Sequence, residues 1–171
     1  KLCEFDLDWK RVSIILNDER WVPENSERSN TKLLRERLLI KNASDATYIS
    51  MFCDASTPEL GIPKLQQQIE SKLPISVLLF GMGEDMHTAS LFPGGDNLEE
   101  ALSSEAPTLL PMRAYGASEA RVTLTAPVLN SSRIKQLLIF GKEKRSAFEK
   151  AMSLPSKLAP ISAILTGASV H

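Results

Sequence analysis

The sequence predicts an α/β fold: a doubly wound, mostly parallel sheet with helices on both faces, formed as a single domain over residues 1–171. Three observations carry that expectation. Apolar, β-branched runs stop abruptly in polar or glycine-rich clusters: Val12–Leu16 before NDER, Ile75–Phe80 before GMGEDMH, Leu137–Phe140 before GKEK. Continuous rather than alternating apolar character marks strands buried on both faces, as in a parallel sheet. Helical segments lie between these runs, and strands alternating with helices imply parallel βαβ units. Finally, 171 residues with 43% apolar and 24% charged side chains match a globular domain able to bury a core without disulfides or metals.

The elements follow in order. Val12–Leu16 is the first strand, and Ser29–Ile40 reads as a helix capped by Ser29 or Asn30, with Leu34 and Leu38 on one face. Thr47–Phe52 is a weaker strand candidate. Pro58–Leu73 reads as a helix opened by Pro58, although Gly61 and Pro63 disturb its first turns. Ile75–Phe80 is the second strong strand. Residues 93–120, rich in Gly, Pro, Ser and Ala, read mostly as an excursion loop. Arg121–Thr125 (RVTLT) alternates polar and apolar, Leu137–Phe140 is the third strong strand, and Lys142–Met152 is a helix with Phe148 and Met152 on its inner stripe.

Composition excludes several functions. Lys and Arg number 20 against 21 Asp and Glu, so the basic excess that nucleic-acid binding requires is missing. No apolar run approaches the ~18–20 residues that span a bilayer, so no membrane partner is expected. The opening KLCEFDLDWK has no signal-peptide core, and a cytoplasmic protein is expected. Cys3 and Cys53 have no neighbouring histidine or second cysteine, which argues against a metal site. GMGEDM lacks the third glycine of a dinucleotide fingerprint, and no Gly-x-Ser-x-Gly elbow occurs.

Ligands of open parallel sheets bind beyond the carboxyl ends of the strands. There the first run delivers Asp18, Glu19 and Arg20, the second Asp85 and His87, the third Lys142 and Lys144. Carboxylates, one imidazole and cations meeting at one edge suit acid–base chemistry on a small anion, although any sheet has polar strand ends. His87 is the only histidine besides the terminal His171, and Gly81, Gly83, Gly94 and Gly95 flank its segment. Glycine permits close backbone approach to a ligand and leaves amides free for anionic oxygen. Lys144 precedes Phe148 by four residues, so it shares the apolar stripe yet falls in the first turn of its helix. The helix dipole opposes a cation there; a bound anion would explain it, and so would a snorkelling side chain.

DERWVPENSERSN (residues 18–30) and GMGEDMHTASLFPG (residues 81–94) resemble the two signature segments of 6-phosphogluconolactonases, in the superfamily that includes glucosamine-6-phosphate deaminase. RVTLT, Pro127 and Gly141-x-x-Lys144 fit the same family in the same order, and the similarity covers essentially the whole chain. The resemblance implies a Rossmann-like fold of the sugar-phosphate isomerase type and hydrolysis of 6-phospho-D-glucono-1,5-lactone to 6-phosphogluconate. It implies no cofactor, and the expected partner is the sugar-phosphate lactone alone, bound by a monomer. By resemblance, His87 is the general base toward water, Asp18 and Arg20 belong to the active-site rim, and Lys144 contacts phosphate. Asp85 and Arg121 join them as substrate contacts. Three departures stand out: Met86 replaces a glycine of the family, no N-terminal βαβ unit with a Gly-Gly-Ser/Thr loop corresponds to anything here, and GASVH stops where the family continues into a last strand, so the domain reads as incomplete. A deaminase-like isomerase is disfavoured because Thr88–Pro93 contains no carboxylate. A non-catalytic sugar-phosphate sensor is the remaining alternative.

Overall fold

The computed structural model of the protein describes residues 2–171. Its elements are β1 (Ser13–Ile15), β2 (Asp18–Arg20), α1 (Asn30–Arg37), β3 (Thr47–Ile49), α2 (Pro58–Glu70), β4 (Val77–Phe80), α3 (Leu98–Leu102), β5 (Leu109–Met112), β6 (Arg121–Leu124), α4 (Ala126–Asn130), β7 (Ile134–Leu137), α5 (Lys142–Ala151) and β8 (Ala168–Val170). β1 pairs with β3, and β4 with β7 and β7 with β8, all in parallel. β2, β6 and β5 form a separate antiparallel ribbon with β6 in the middle. Among the described residues no helix is long and apolar enough to cross a membrane.

Asn17, between β1 and β2, ties these pieces together. Its side-chain amide donates to the Leu79 carbonyl of β4 at 2.9 Å, and its own carbonyl accepts from the Leu124 amide of β6 at 2.9 Å. One residue thus brings the carboxyl end of β1 beside β4 and beside the ribbon.

The core gathers Leu65 and Ile69 of α2, Leu78 and Phe80 of β4, Leu109 and Met112 of β5, Val122 and Leu124 of β6, and Leu137 of β7. The alternating RVTLT segment behaves as its period requires: Val122 and Leu124 enter this core, while Arg121 and Thr123 point to the other face. Pro111 is tolerated in β5 because that strand is an edge, paired only with β6. The helix α2 runs through both Gly61 and Pro63. A Cβ on Gly61 would lie 2.4 Å from Trp21 Cη2 and 2.8 Å from Cys53 Sγ. Gly61→Ala is therefore expected to cost about 1–3 kcal/mol by overpacking, read from the urea midpoint; an unchanged midpoint would contradict this packing.

Three readings of the sequence need correction. The third strong strand is Ile134–Leu137, so LLIF mostly lies past it, with Leu138 40% and Phe140 80% exposed. Double-sided burial is not seen in β4: Leu78 and Phe80 are buried, but Val77 and Leu79 are 52% and 49% exposed. An unbroken apolar run shows that a strand can be covered twice, but it does not supply the second cover. The excursion 93–120 contains α3 and the edge strand β5, which its Pro and Gly content concealed.

Candidate active site

A cleft of about 310 Å³ opens beyond the carboxyl ends of β1 and β4 and is lined by Asn17, Asp18, Gly81, Met82, Gly83, His87, Ala89 and Lys144. Asp18, His87 and Lys144 thus meet there from three separate strand ends.

The loop after β4 is a compact backbone hairpin. The Gly83 amide donates to the His87 carbonyl at 3.0 Å, the Met86 amide to the Gly83 carbonyl at 3.0 Å, and the Thr88 hydroxyl to the Gly81 carbonyl at 2.8 Å. The Met86 carbonyl in turn accepts from the Ile161 amide at 3.1 Å, anchoring the loop from outside. Met86 (φ 67°) and Ala89 (φ 49°) both occupy the left-handed region, one on each side of His87. Such conformations cost an L residue about 1–2 kcal/mol each and persist only where surrounding bonds hold them. The methionine at position 86 therefore takes a positive φ, and the loop bears the strain.

His87 Nδ1 lies 2.5 Å from Asp85 Oδ1, and the same oxygen accepts the His87 amide at 3.3 Å. With the carboxylate accepting, Nδ1 carries the proton and Nε2 keeps the lone pair. Gly83 makes this geometry possible: a Cβ there would fall 2.3 Å from His87 Nδ1 and 2.4 Å from Asp85 Oδ1. Phe92 packs against the imidazole with ring centroids 4.5 Å apart.

Asp18 projects from β2 on the face opposite Glu19. Its Oδ2 accepts a 2.5 Å hydrogen bond from the Ser90 hydroxyl and lies 3.5 Å from a guanidinium nitrogen of Arg121. Burial pushes the Asp18 carboxyl above the usual carboxylate range, while the Ser90 hydroxyl and the charges of Arg121 and His87 pull the other way. Ser90 is fully buried, and its amide donates to the Thr123 hydroxyl at 3.2 Å. Lys144, half-buried in the first turn of α5, has no hydrogen bond or ion pair among the described residues. The N-cap of that helix is Gly141 (φ 94°), which supplies no side-chain acceptor to the first-turn amides.

Arg20 does not line the cleft. It donates to the Arg28 carbonyl at 2.7 Å and to Asn30 Oδ1 at 3.2 Å, holding the loop before α1. Arg121, directly opposite in register, reaches the cleft only through Asp18 and lies over the Phe92 ring at 5.2 Å. Asp85 stands behind His87 and is not itself among the lining residues. The sequence alone does not single out Asn17, Ser90 and Phe92 as site residues, and the partners of Asn17 and Ser90 come from distant parts of the chain.

Comparison with known proteins places this arrangement. The family model described as glucosamine-6-phosphate isomerases/6-phosphogluconolactonase matches residues 1–171. The chain is 36% identical over 167 residues to the 6-phosphogluconolactonase of Pseudomonas aeruginosa, covering 96% of itself and 70% of that protein. It is 38% identical over 152 residues to that of Rhizobium meliloti, covering 88% of itself and 66% of that protein. A crystal structure of a 6-phosphogluconolactonase from Shewanella baltica superposes with a TM-score of 0.94 at 32% identity, over 99% of this chain and 75% of that one. The chain thus spans about two thirds to three quarters of the length of these relatives. With the family model matching residues 1–171 and the backbone shared with a solved relative, this chain belongs to the glucosamine-6-phosphate isomerase/6-phosphogluconolactonase family.

Proposed function

We propose that the cleft hydrolyses 6-phospho-D-glucono-1,5-lactone to 6-phosphogluconate. The observation that carries this reading is the Asp85–His87 pair beside a cation, Lys144, that has no hydrogen-bond or ion-pair partner among the described residues. His87 Nε2 removes a proton from water as the oxygen attacks C1 of the lactone. The oxyanion is stabilised by amides of the glycine-rich loop. Asp18, whose carboxyl is pushed upward by burial, is suited to hold a proton for the ring oxygen as the C1–O bond breaks. Lys144 and the uncapped amides of α5 take the phosphate. Arg121 holds Asp18 in place, and Arg20 shapes the rim by fixing the loop before α1.

The substrate is a small soluble metabolite and the cleft is built within one chain, so the reading includes a cytoplasmic monomer. The deaminase alternative lacks a carboxylate in Thr88–Pro93, and nothing in the cleft favours it.

The test is lactone hydrolysis by the protein, with Lys144→Ala as the discriminating variant. Hydrolysis of the phosphorylated lactone is expected. Lys144→Ala should raise KM for it by about tenfold or more while changing hydrolysis of unphosphorylated gluconolactone less than about twofold. Equal losses on both substrates would remove Lys144 from phosphate recognition, and binding of 6-phosphogluconate without hydrolysis would favour the sensor reading.

A further inference from the structure

We propose that Phe92 is a positioning residue, fixing the His87 imidazole against Asp85. The inference rests on His87 being the base of the proposed hydrolysis. The His87 and Phe92 rings lie 4.5 Å apart at 42°, and the Arg121 guanidinium lies 5.2 Å from the centre of the Phe92 ring.

Asp85 holds one edge of the imidazole at Nδ1, and this hydrogen bond alone leaves the ring free to swing about that contact. Gly83 leaves the room the ring needs on one side, since a Cβ there would fall 2.4 Å from Cε1, and Phe92 supplies a surface against the ring. The other charged groups facing His87 are Asp18 and Lys144 across the cleft, and neither touches the imidazole.

Phe92 reaches this place through a strained path. Ala89 is left-handed, and the Leu91 amide donates to the Thr88 carbonyl at 2.9 Å, so the chain turns back over the imidazole. Leu91 is buried in the core, whereas Phe92 is half-buried and packs against both that core and the imidazole.

The experiment compares Phe92→Leu and Phe92→Tyr with the unaltered protein, reading kcat and KM, the thermal midpoint, and the His87 Nδ1 proton by NMR. Only two histidines occur, so a His171→Gln variant assigns the signals. Phe92→Leu should lower kcat by about 10- to 100-fold, with KM changed less than about twofold. The Nδ1 proton signal should broaden or vanish in Phe92→Leu, because the ring is no longer held against Asp85. Phe92→Tyr, which keeps the ring, should keep both kcat and the proton signal. A lower thermal midpoint with an unchanged Nδ1 proton signal, or a loss of kcat that tyrosine shares, overturns the inference. Should the unaltered protein hydrolyse no lactone, the functional reading fails by itself, and the Nδ1 proton signal still decides the role of Phe92.

Discussion

His87→Ala is expected to lower lactone turnover by about 10²–10⁴, the range a general base contributes. The fold should survive, because the imidazole is 31% exposed and contributes little to the core. Its measured thermal midpoint should stay within the range of a surface substitution, about ±0.5 kcal/mol in stability. Gly83→Ala reaches the same end by another route. Its Cβ would occupy space now filled by His87 Nδ1 and Asp85 Oδ1, so the pair must separate even though every chemical group remains. Loss of turnover in both variants, with the protein folded, ties the chemistry to the geometry of the pair rather than to any imidazole nearby. Turnover close to that of the unaltered protein in His87→Ala would sink the mechanism.

β1 and β4 are legible because VSIIL and ISVLLF are dense in apolar residues, although β4 is buried on one face only, and the polar clusters that end them mark the edge where the cleft opens. β8, a short strand without an apolar run, is not legible in this way. β6 was legible from its alternation. What stayed hidden was set by partners far away in sequence. β2 reads as a polar strand end, yet it pairs with β6 about a hundred residues later, Asp18 opposite Thr123 and Arg20 opposite Arg121. β5 carries a proline and survives only because it is an edge. The shift of β7 has a local cause: Lys135, a residue that argues against a strand by composition, is buried and finds Asn130 Oδ1, five residues earlier, at 2.9 Å.

The candidate site divides in the same way. His87 and Lys144 stand out by residue type and by their place at strand and helix ends. Arg20, expected at the substrate from residue type and resemblance, is not among the residues that line the cleft. Successive residues of β2 face opposite sides, so Asp18 reaches the cleft, and Arg20, one step further along the same face, meets the loop before α1 instead. Met86 was readable as a departure from the family pattern, but only the backbone shows that the position has a positive φ and that Ile161 holds it there.

Glu19 is the residue whose loss should most damage the fold. It is fully buried, on the face of β2 away from the cleft. Oε1 accepts the Asn30 amide at 2.8 Å and the Arg20 amide at 2.7 Å; Oε2 accepts the Thr31 amide at 2.7 Å, the Thr31 hydroxyl at 2.7 Å and the Ser29 hydroxyl at 3.1 Å. All but one of these donors come from the N-terminus of α1, where the helix dipole favours an anion. The Thr31 hydroxyl, committed to Glu19, accepts from Tyr48 at 2.6 Å, and burial pushes that phenol up to about 12, so it remains a neutral donor. One carboxylate therefore joins β2, α1 and β3. Glu19→Ala strands several buried donors at once and is expected to cost about 3–5 kcal/mol in urea denaturation, a large share of the ~5–15 kcal/mol that holds a domain together. Glu19→Gln separates charge from shape: its oxygen can serve one pair of donors, but its NH₂ must then face the others. It is expected to cost about 2–4 kcal/mol despite equal volume. A glutamine variant within about 0.5 kcal/mol of the unaltered protein would show that the carboxylate charge contributes little. The damage should also reach the chemistry, because Asp18 is held by the same three-residue strand on its other face.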